Sequence, residues 1–589
     1  MFQTFTETAS PDQGPARLSA LRDQLGARGL DGFLVPRADA HQGEYVAPRD
    51  DRLAWLTGFT GSAGWCVALR DRAAVFVDGR YRVQVKSQVA DIFEKVDWPE
   101  TSLADWIGGA LDSGRIGFDP WLLSVEQHRT LKEKLPDLTL EPVENLVDAV
   151  WPDQPAPPQG RVFAQPLELA GEAHADKIAR LATDLTTGAA ILTLPDSLAW
   201  LLNIRGSDIP RNPVPHGFAI LHAAGTVSLY IDAAKLTDLG DHLGDRVTLR
   251  TPQDFLPDLG ALTGPVQIDP ATCPVAVARA LRDTPVEAPD PCLLPKARKN
   301  AAELEGTRAA HHRDALAMVR FLAWLDAQPP GSLTEIDVVT RLEEERRATN
   351  ALRDISFETI SGSGPHGAVV HYRVTEQTNR TVSAGELLLV DSGGQYVDGT
   401  TDITRTVAIG SPGGEETAAF TRVLKGMIAL SCLRFPKGLA GRDIDPLARV
   451  ALWQAGLDYG HGTGHGVGAY LSVHEGPQRI ARTGTVPLEP GMILSNEPGF
   501  YREGAYGIRI ENLIAVETAP KLYGQTVPEM LQFETLTWVP IDTRLVDPGL
   551  LTDAERNWLN DYHRRVHETL APHLDAETEQ WLAAACSAI

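Results

Sequence analysis

Apolar and polar positions follow two different rhythms along this chain. Across residues 303–326, apolar Leu316, Val319, Phe321 and Leu325 fall near helical spacing, which predicts a long helix. A second helix start is read at Leu333-Thr334, where Thr334 can cap, Asp337 lies three residues on, and Leu333 can staple to Val338. Asp445-Pro446 reads as another start, with Pro446 at the first helical position and Gly456 past the end. Residues 386–390, 402–409, 492–494 and 508–516 are strand-like runs. In the tail, 552–585, Trp558, Leu559, Tyr562, Val566 and Leu570 keep mostly helical spacing, which predicts helices that pack back on the body. The mixture from about residue 300 to 530 indicates an α+β catalytic-type domain.

The first half carries an internal repeat. Leu53-Ala54-Trp55-Leu56 with Gly61-Ser62 recurs as Leu198-Ala199-Trp200-Leu201 with Gly206-Ser207, six matches in ten at a constant offset of 198 − 53 = 145. Two short apolar runs follow each block, 66–69 and 73–77 in the first copy, 218–221 and 227–231 in the second. Two copies of one α/β unit are expected. The proline-rich stretches 151–161 and 285–295 read as breaks between pieces, because proline fixes φ and removes a backbone donor.

At 589 residues the chain has room for two to four domains. Lys+Arg is 54 and Asp+Glu 78, so the formal charge is 54 − 78 = −24. Such a field repels phosphates, which argues against nucleic acid or an anionic membrane as partner. Five scattered cysteines with no C-x-x-C support neither a disulfide framework nor a zinc ribbon. The opening MFQTFTETASPDQG lacks the basic and apolar regions of a signal peptide, and no apolar run reaches the roughly 18 residues of a membrane span, so a cytoplasmic protein is expected. Gly362 to Gly367 matches G-x-G-x-x-G, but the strand-like AVVHYRV follows where a nucleotide fold needs a helix. Asn379-Arg380-Thr381 fits a glycosylation sequon with no secretory signal to deliver it.

The candidate chemistry lies in acids. Asp391 ends the apolar run, Ser392-Gly393-Gly394 permits a turn, and Asp402 opens the next strand-like run, a hairpin-like arrangement that could set the two side by side. Two close carboxylates repel unless a cation neutralises them. His461 and His465 lie in a stretch with glycine at every second position from Gly460 to Gly468. Glu497 follows another strand-like run, and Glu511 stands between Ile510 and Asn512 with Arg509 on the same face of an extended strand. A buried acid needs a partner, and Arg509 alone could supply it. Together, four carboxylates and one imidazole suit hard or borderline divalent ions such as Mn²⁺, with Co²⁺ or Zn²⁺ as alternatives. Four carboxylates balance two dications around a bridging hydroxide.

The ordered set VDSGGQYVDGTTDITRT, HGTGHGVG, NEPGFY and IRIEN, with acids and imidazole at intervals of 11, 63, 32 and 14 residues, resembles the pita-bread metallopeptidases, which include methionine aminopeptidase, prolidase and aminopeptidase P. The Leu198 to Pro210 block, the Leu53 to Gly64 block, Asp78-Gly79-Arg80-Tyr81 and the tail from Leu536 narrow the resemblance to long-form, cytosolic Xaa-Pro aminopeptidases. It implies an α/β and α+β multidomain fold: creatinase-like N-terminal domains at 1–155 and 156–300, a pita-bread catalytic domain at 301–528, a helical C-terminal extension at 529–589, and a homodimer.

Carried over by motif, the resemblance puts the metal ligands on Asp391, Asp402, His465, Glu497 and Glu511. Its other active-site histidines fall on His371 and His474, its loop histidine on His461, and its supporting positions on Tyr501 and Arg509, with Arg80 a further substrate-binding residue. Phe500 departs from the tyrosine common in relatives. The activity implied is release of the first residue from peptides with proline at position two. Glu497 would shuttle the proton, His474 would stabilise the oxyanion and His371 would contact substrate. A prolidase of the same fold, which needs a dipeptide, and a metal-free peptide- or histone-binding relative are the alternatives.

Overall fold

The computed structural model describes residues 1–589. The chain forms two compact units: Thr8–Lys296 is one, and Met1–Glu7 together with Ala297–Ile589 is the other.

The Thr8–Lys296 unit contains two six-stranded sheets of identical topology. In the first, the order is Glu94–Asp97, Ala73–Val77, Trp65–Leu69, Gly32–Pro36, Gly114–Phe118, Leu138–Pro142. In the second it is Val247–Arg250, Thr226–Tyr230, Phe218–His222, Ala189–Leu192, Val266–Ile268, Val286–Glu287. Read in that order, each has one parallel pairing, then two antiparallel, then two parallel. The repeat is therefore a repeat of fold. Side chains of Trp65–Leu69 alternate between two cores: Cys66 and Ala68 enter one, Val67 and Leu69 the other. A sheet covered on both faces is what an uninterrupted apolar run dictates. In both copies the Leu-Ala-Trp-Leu block is a short helix, within Arg52–Thr57 and Pro195–Leu201. Trp151, at the head of the proline-rich stretch, stacks on Trp55 with centroids 5.2 Å apart.

The other unit is mixed α and β. Its long helix runs Ala301–Asp326, and the Asn300 side chain accepts from the amides of Ala302 and Glu303 while Glu303 returns the bond, satisfying donors that a helix start leaves orphaned. The helix Glu335–Arg347 is capped by Thr334 with Asp337, and Leu333 and Val338 share one core cluster, as the spacing predicts. Three strands, Ile360–Ser363, Leu387–Ser392 and Ile403–Ala408, form one antiparallel sheet. Six more form another in the order Arg434–Pro436, Met530–Thr535, Asn512–Thr518, Ile493–Asn496, Gly464–Gly466, Glu475–Ile480. The tail makes two helices, Asp553–Leu570 and Ala576–Ala585, whose Leu559, Tyr562, Val566, Leu570 and Leu582 join the main core.

Three local expectations need correction. The helix expected to start at Pro446 is Gly441–Trp453, with Pro446 inside it. Asp443 closes its first turn by accepting from the Ala440 amide at 2.8 Å. The run 508–516 is two strands of different sheets, Tyr506–Arg509 and Asn512–Thr518, broken at Ile510-Glu511. Lastly, the AVVHYRV stretch, 368–374, is irregular backbone rather than a strand and follows a short 3₁₀ turn, Gly364–Ala368.

Candidate metal centre

Every acid of the expected set sits on or beside a strand end. Asp391 is the fifth residue of Leu387–Ser392 and faces Thr404 in register, which leaves Asp402 immediately before the paired strand Ile403–Ala408. Glu497 follows Ile493–Asn496 and Glu511 precedes Asn512–Thr518; these two strands are joined at Asn496 and Asn512. His465 is the middle residue of Gly464–Gly466. The flanking glycines are sterically required: a Cβ on Gly464 would lie 2.0 Å from the Ser495 carbonyl oxygen, and one on Gly466 2.2 Å from that of Glu475.

Threonines fix the cage from behind. The Glu511 amide donates to the Thr404 carbonyl at 3.1 Å, and Thr404 Oγ1 donates to Glu511 Oε2 at 2.8 Å. The Glu497 amide donates to the Thr463 carbonyl at 2.8 Å. His465 Nδ1 lies 3.0 Å from the Gly466 carbonyl, which can only accept, so Nδ1 carries the proton and Nε2 turns inward. Nε2 is 3.5 Å from Asp402 Oδ2 and 3.7 Å from Glu497 Oε1. One ligand atom each from Asp402, His465 and Glu511 lie within 4.8 Å of one another.

Arg509 does not pair with Glu511. Its guanidinium donates to Asp391 Oδ2 at 2.5 Å, to Tyr501 Oη at 2.6 Å, to Thr404 Oγ1 at 3.2 Å and to the Val370 carbonyl at 3.3 Å. The strand break at Ile510-Glu511 removes the common face that an unbroken strand would give the two residues. Glu511 is left among acids, and burial together with Asp402, Asp391 and Glu497 holds its carboxyl well above the usual range. Burial also raises Asp402 to about 6, against the pull of His465 and with Asp391 and Glu497 adding to the rise. Burial opposes the cationic form of His465, but Asp402 and Glu497 lift it to about 9.

Three buried oxygens of the cage, Asp391 Oδ1, Asp402 Oδ1 and Glu511 Oε1, have no hydrogen-bond donor. Buried carboxylate oxygens without donors are costly, and acceptor atoms from three separate segments leave a cation as the partner their chemistry fits. The donor set therefore fits a divalent metal.

Around the cage, His371 and His474 are half-buried with ring centroids 6.5 Å apart, and His474 lies edge-on to His465 at 4.3 Å. His461 Nε2 is 2.9 Å from Tyr501 Oη, so a hydrogen-bonded line runs from His461 through Tyr501 and Arg509 to Asp391. Burial pushes the Tyr501 hydroxyl up to about 12, with Arg509 opposing, so it stays protonated as a donor. Phe500 packs in the main core. Arg80 belongs to the Thr8–Lys296 unit, where its guanidinium bonds Asp78 and Glu44.

Sequence reasoning missed several supports. Arg449 pairs with buried Asp445 one helical turn away and donates to the carbonyls of Tyr459 and His461, holding the glycine-rich loop. Asp445 also accepts from Thr463 Oγ1 at 2.6 Å. Their i,i+4 spacing was the available signal. Lys299 forms a buried ion pair with Glu475, the neighbour of His474, and no local pattern announces it.

Family models match nearly the whole chain: metallopeptidase family M24 over residues 305–518, creatinase/prolidase N-terminal domains over 17–150 and 153–303, and the C-terminal region of peptidase M24 over 529–589. Aminopeptidase P2 of Arabidopsis thaliana is 41% identical, covering 94% of this chain and 85% of its own. Aminopeptidase P1 of Lotus japonicus is 38% identical, covering 96% and 98%. A crystal structure of X-prolyl aminopeptidase from Caenorhabditis elegans, described as a cytosolic enzyme with a di-nuclear active site, superposes with a TM-score of 0.93 at 34% identity over 98% of this chain and all of that one. Given a buried acid cluster with orphaned acceptor oxygens and relatives matched end to end, this chain belongs to metallopeptidase family M24, in the branch with two creatinase/prolidase N-terminal domains.

Proposed function

We propose that the chain is an Xaa-Pro aminopeptidase. The reading is carried by a buried acid cage that fits divalent metal and is flanked by two half-buried imidazoles, in a chain similar end to end to proteins named for that activity. Asp391, Asp402, His465, Glu497 and Glu511 would hold two divalent cations, most simply Mn²⁺, with Co²⁺ or Zn²⁺ as alternatives. When bound, such ions supply a hydroxide at neutral pH and positive charge for an oxyanion.

The remaining roles fall to this chain's own side chains. The Glu497 side chain is 18% exposed, against 5% for Asp402, so it is the better placed to hold the proton on its way to the leaving nitrogen. His474 donates toward the developing oxyanion and His371 contacts the substrate. His461, held by Tyr501, lines the pocket. A proline nitrogen has no N–H to offer, so recognition must rest on shape rather than on that donor. Arg80 is a candidate substrate contact whose charge Asp78 and Glu44 orient.

The test is release of the first residue from an Xaa-Pro-Xaa peptide with added Mn²⁺, run beside an Xaa-Pro dipeptide. Cleavage of the dipeptide alone would make the protein a prolidase, and no cleavage of either, with no bound metal, would leave a binding protein. A homodimer is part of the proposal, supported by Leu447, Val450 and Trp453, which are 39–42% exposed on one side of the Gly441–Trp453 helix. A cytoplasmic location is supported by the description of the Caenorhabditis elegans relative, and no helix is long and apolar enough to cross a membrane.

A further inference from the structure

The loop bearing His371 has no regular structure of its own, and residues 370–376 take their hydrogen bonds largely from elsewhere. Much of that support comes from the first seven residues, which belong to the Ala297–Ile589 unit although the chain leaves it after Glu7. Gln3 is 3% exposed and grips Thr359 from both sides, Oε1 accepting its amide at 2.8 Å and Nε2 donating to its carbonyl at 3.2 Å. The amides of Phe2 and Gln3 donate to buried Glu343 at 2.7 and 3.2 Å. With this end anchored, the segment runs along the loop. The Glu376 amide donates to the Phe5 carbonyl at 2.8 Å. Arg373, two residues from His371, donates to the carbonyls of Thr6 and Thr4 at 2.9 and 2.8 Å and also bonds Glu358. Thr375 Oγ1 donates to Glu7 at 3.2 Å. Phe5 packs against the cluster of Tyr372, Val374, Ile360, Val339 and Leu389, two residues along the strand from Asp391.

We propose that residues 2–7 are a positioning strap: they fix the His371 loop against the cage strands and so set how the substrate is held. The inference rests on the reading of His371 as a substrate contact. Irregular backbone opens more readily than a paired strand, so removing the strap's apolar anchor frees the loop before the cage strands.

The experiment compares the native chain with Phe5→Ala, Phe5→Leu and His371→Ala. Hydrogen exchange over residues 369–376 of the metal-free protein should quicken at least about tenfold in Phe5→Ala, with the Leu387–Ser392 strand unchanged, and Phe5→Leu should restore most of the protection. With Mn²⁺ and an Xaa-Pro-Xaa peptide, Phe5→Ala should lower kcat/KM about tenfold at an unchanged metal-to-protein ratio, and by less than about twofold once His371 is already alanine. Unchanged exchange in the loop, or an equal loss on the His371→Ala background, overturns the strap. If the native chain cleaves no Xaa-Pro bond, the functional reading falls and the exchange result alone decides the strap.

Discussion

Two sets of buried charge lie in the same unit and follow opposite logic. Asp314 is 3% exposed, and Arg346 meets it with a two-pronged bond at 2.8 and 3.0 Å while Tyr396 adds a third at 2.7 Å. Burial alone would raise its carboxyl, but Arg346 and Tyr396 turn the shift downward. Asp402 and Glu511 are as deeply buried, yet acids outnumber cations around them, donors are missing, and their carboxyls are driven up. A fold that can build a compensated pair beside an uncompensated cluster does not leave the second by default. The first holds the scaffold and the second is shaped for an external cation.

The comparison can be broken most directly at Asp402. Asp402→Ala should lower kcat/KM on an Xaa-Pro peptide by about 10³-fold or more, because metal charge at the reacting carbonyl is worth several kcal/mol, and bound metal should fall with it. Undiminished turnover would remove the cage from the chemistry. Asp314→Ala should do the reverse: it strands Arg346 in the interior and should destabilise the unit by about 3–5 kcal/mol, seen as a lowered melting transition, while the metal-to-protein ratio holds. A comparable loss of metal in both variants would erase the distinction.

Metal removal sharpens it further. At 100 times its dissociation constant each ion should stabilise the native protein by about 2.7 kcal/mol, so chelation should lower the melting temperature and Mn²⁺ restore it, with no such response in Asp402→Ala. A melting temperature indifferent to both reagents would count against a built site.

The smallest effect concerns pH. Buried His563 accepts the Ile541 amide at Nε2, 3.0 Å, so it is held neutral; burial and Arg405 lower it from 6.5 to about 4. The unfolded state binds the proton first, so stability is complete above about pH 6.5 and declines as pH falls toward 4. The loss at pH 5 is about 2 kcal/mol, and His563→Gln should flatten that slope between pH 4 and 6.5. A slope unchanged by the substitution would discard this assignment.

Much of this was legible in sequence where local rules govern. Thr334 with Asp337 and the alternating apolar runs place their elements correctly, because capping and periodicity act over a few residues. The repeat at an offset of 145 became two sheets of identical order because copied apolar runs pair in the same way. The motif set also named Asp402, His465 and Glu511, whose ligand atoms come within 4.8 Å of one another. Long-range pairing was not legible. Arg509 finds Asp391, 118 positions away, instead of its near neighbour Glu511, because a strand break that no residue signals re-aims it. Pro446 misled because Asp443 had already closed the helix start upstream. The Val370–Val374 stretch looks extended by composition, but its partners include Thr4, Phe5 and Thr6, and periodicity carries no information about a partner some 370 positions away.

That separation bears on how the molecule is made. Gln3 leaves the ribosome far ahead of Thr359, and at about 5–20 residues per second the separation of 356 positions takes roughly 20–70 s to synthesise. The opening segment therefore waits, with apolar Phe2 and Phe5 in hand, until its berth exists. Docking it must follow synthesis of Arg373, and the interval before it is when a chaperone would find these residues accessible.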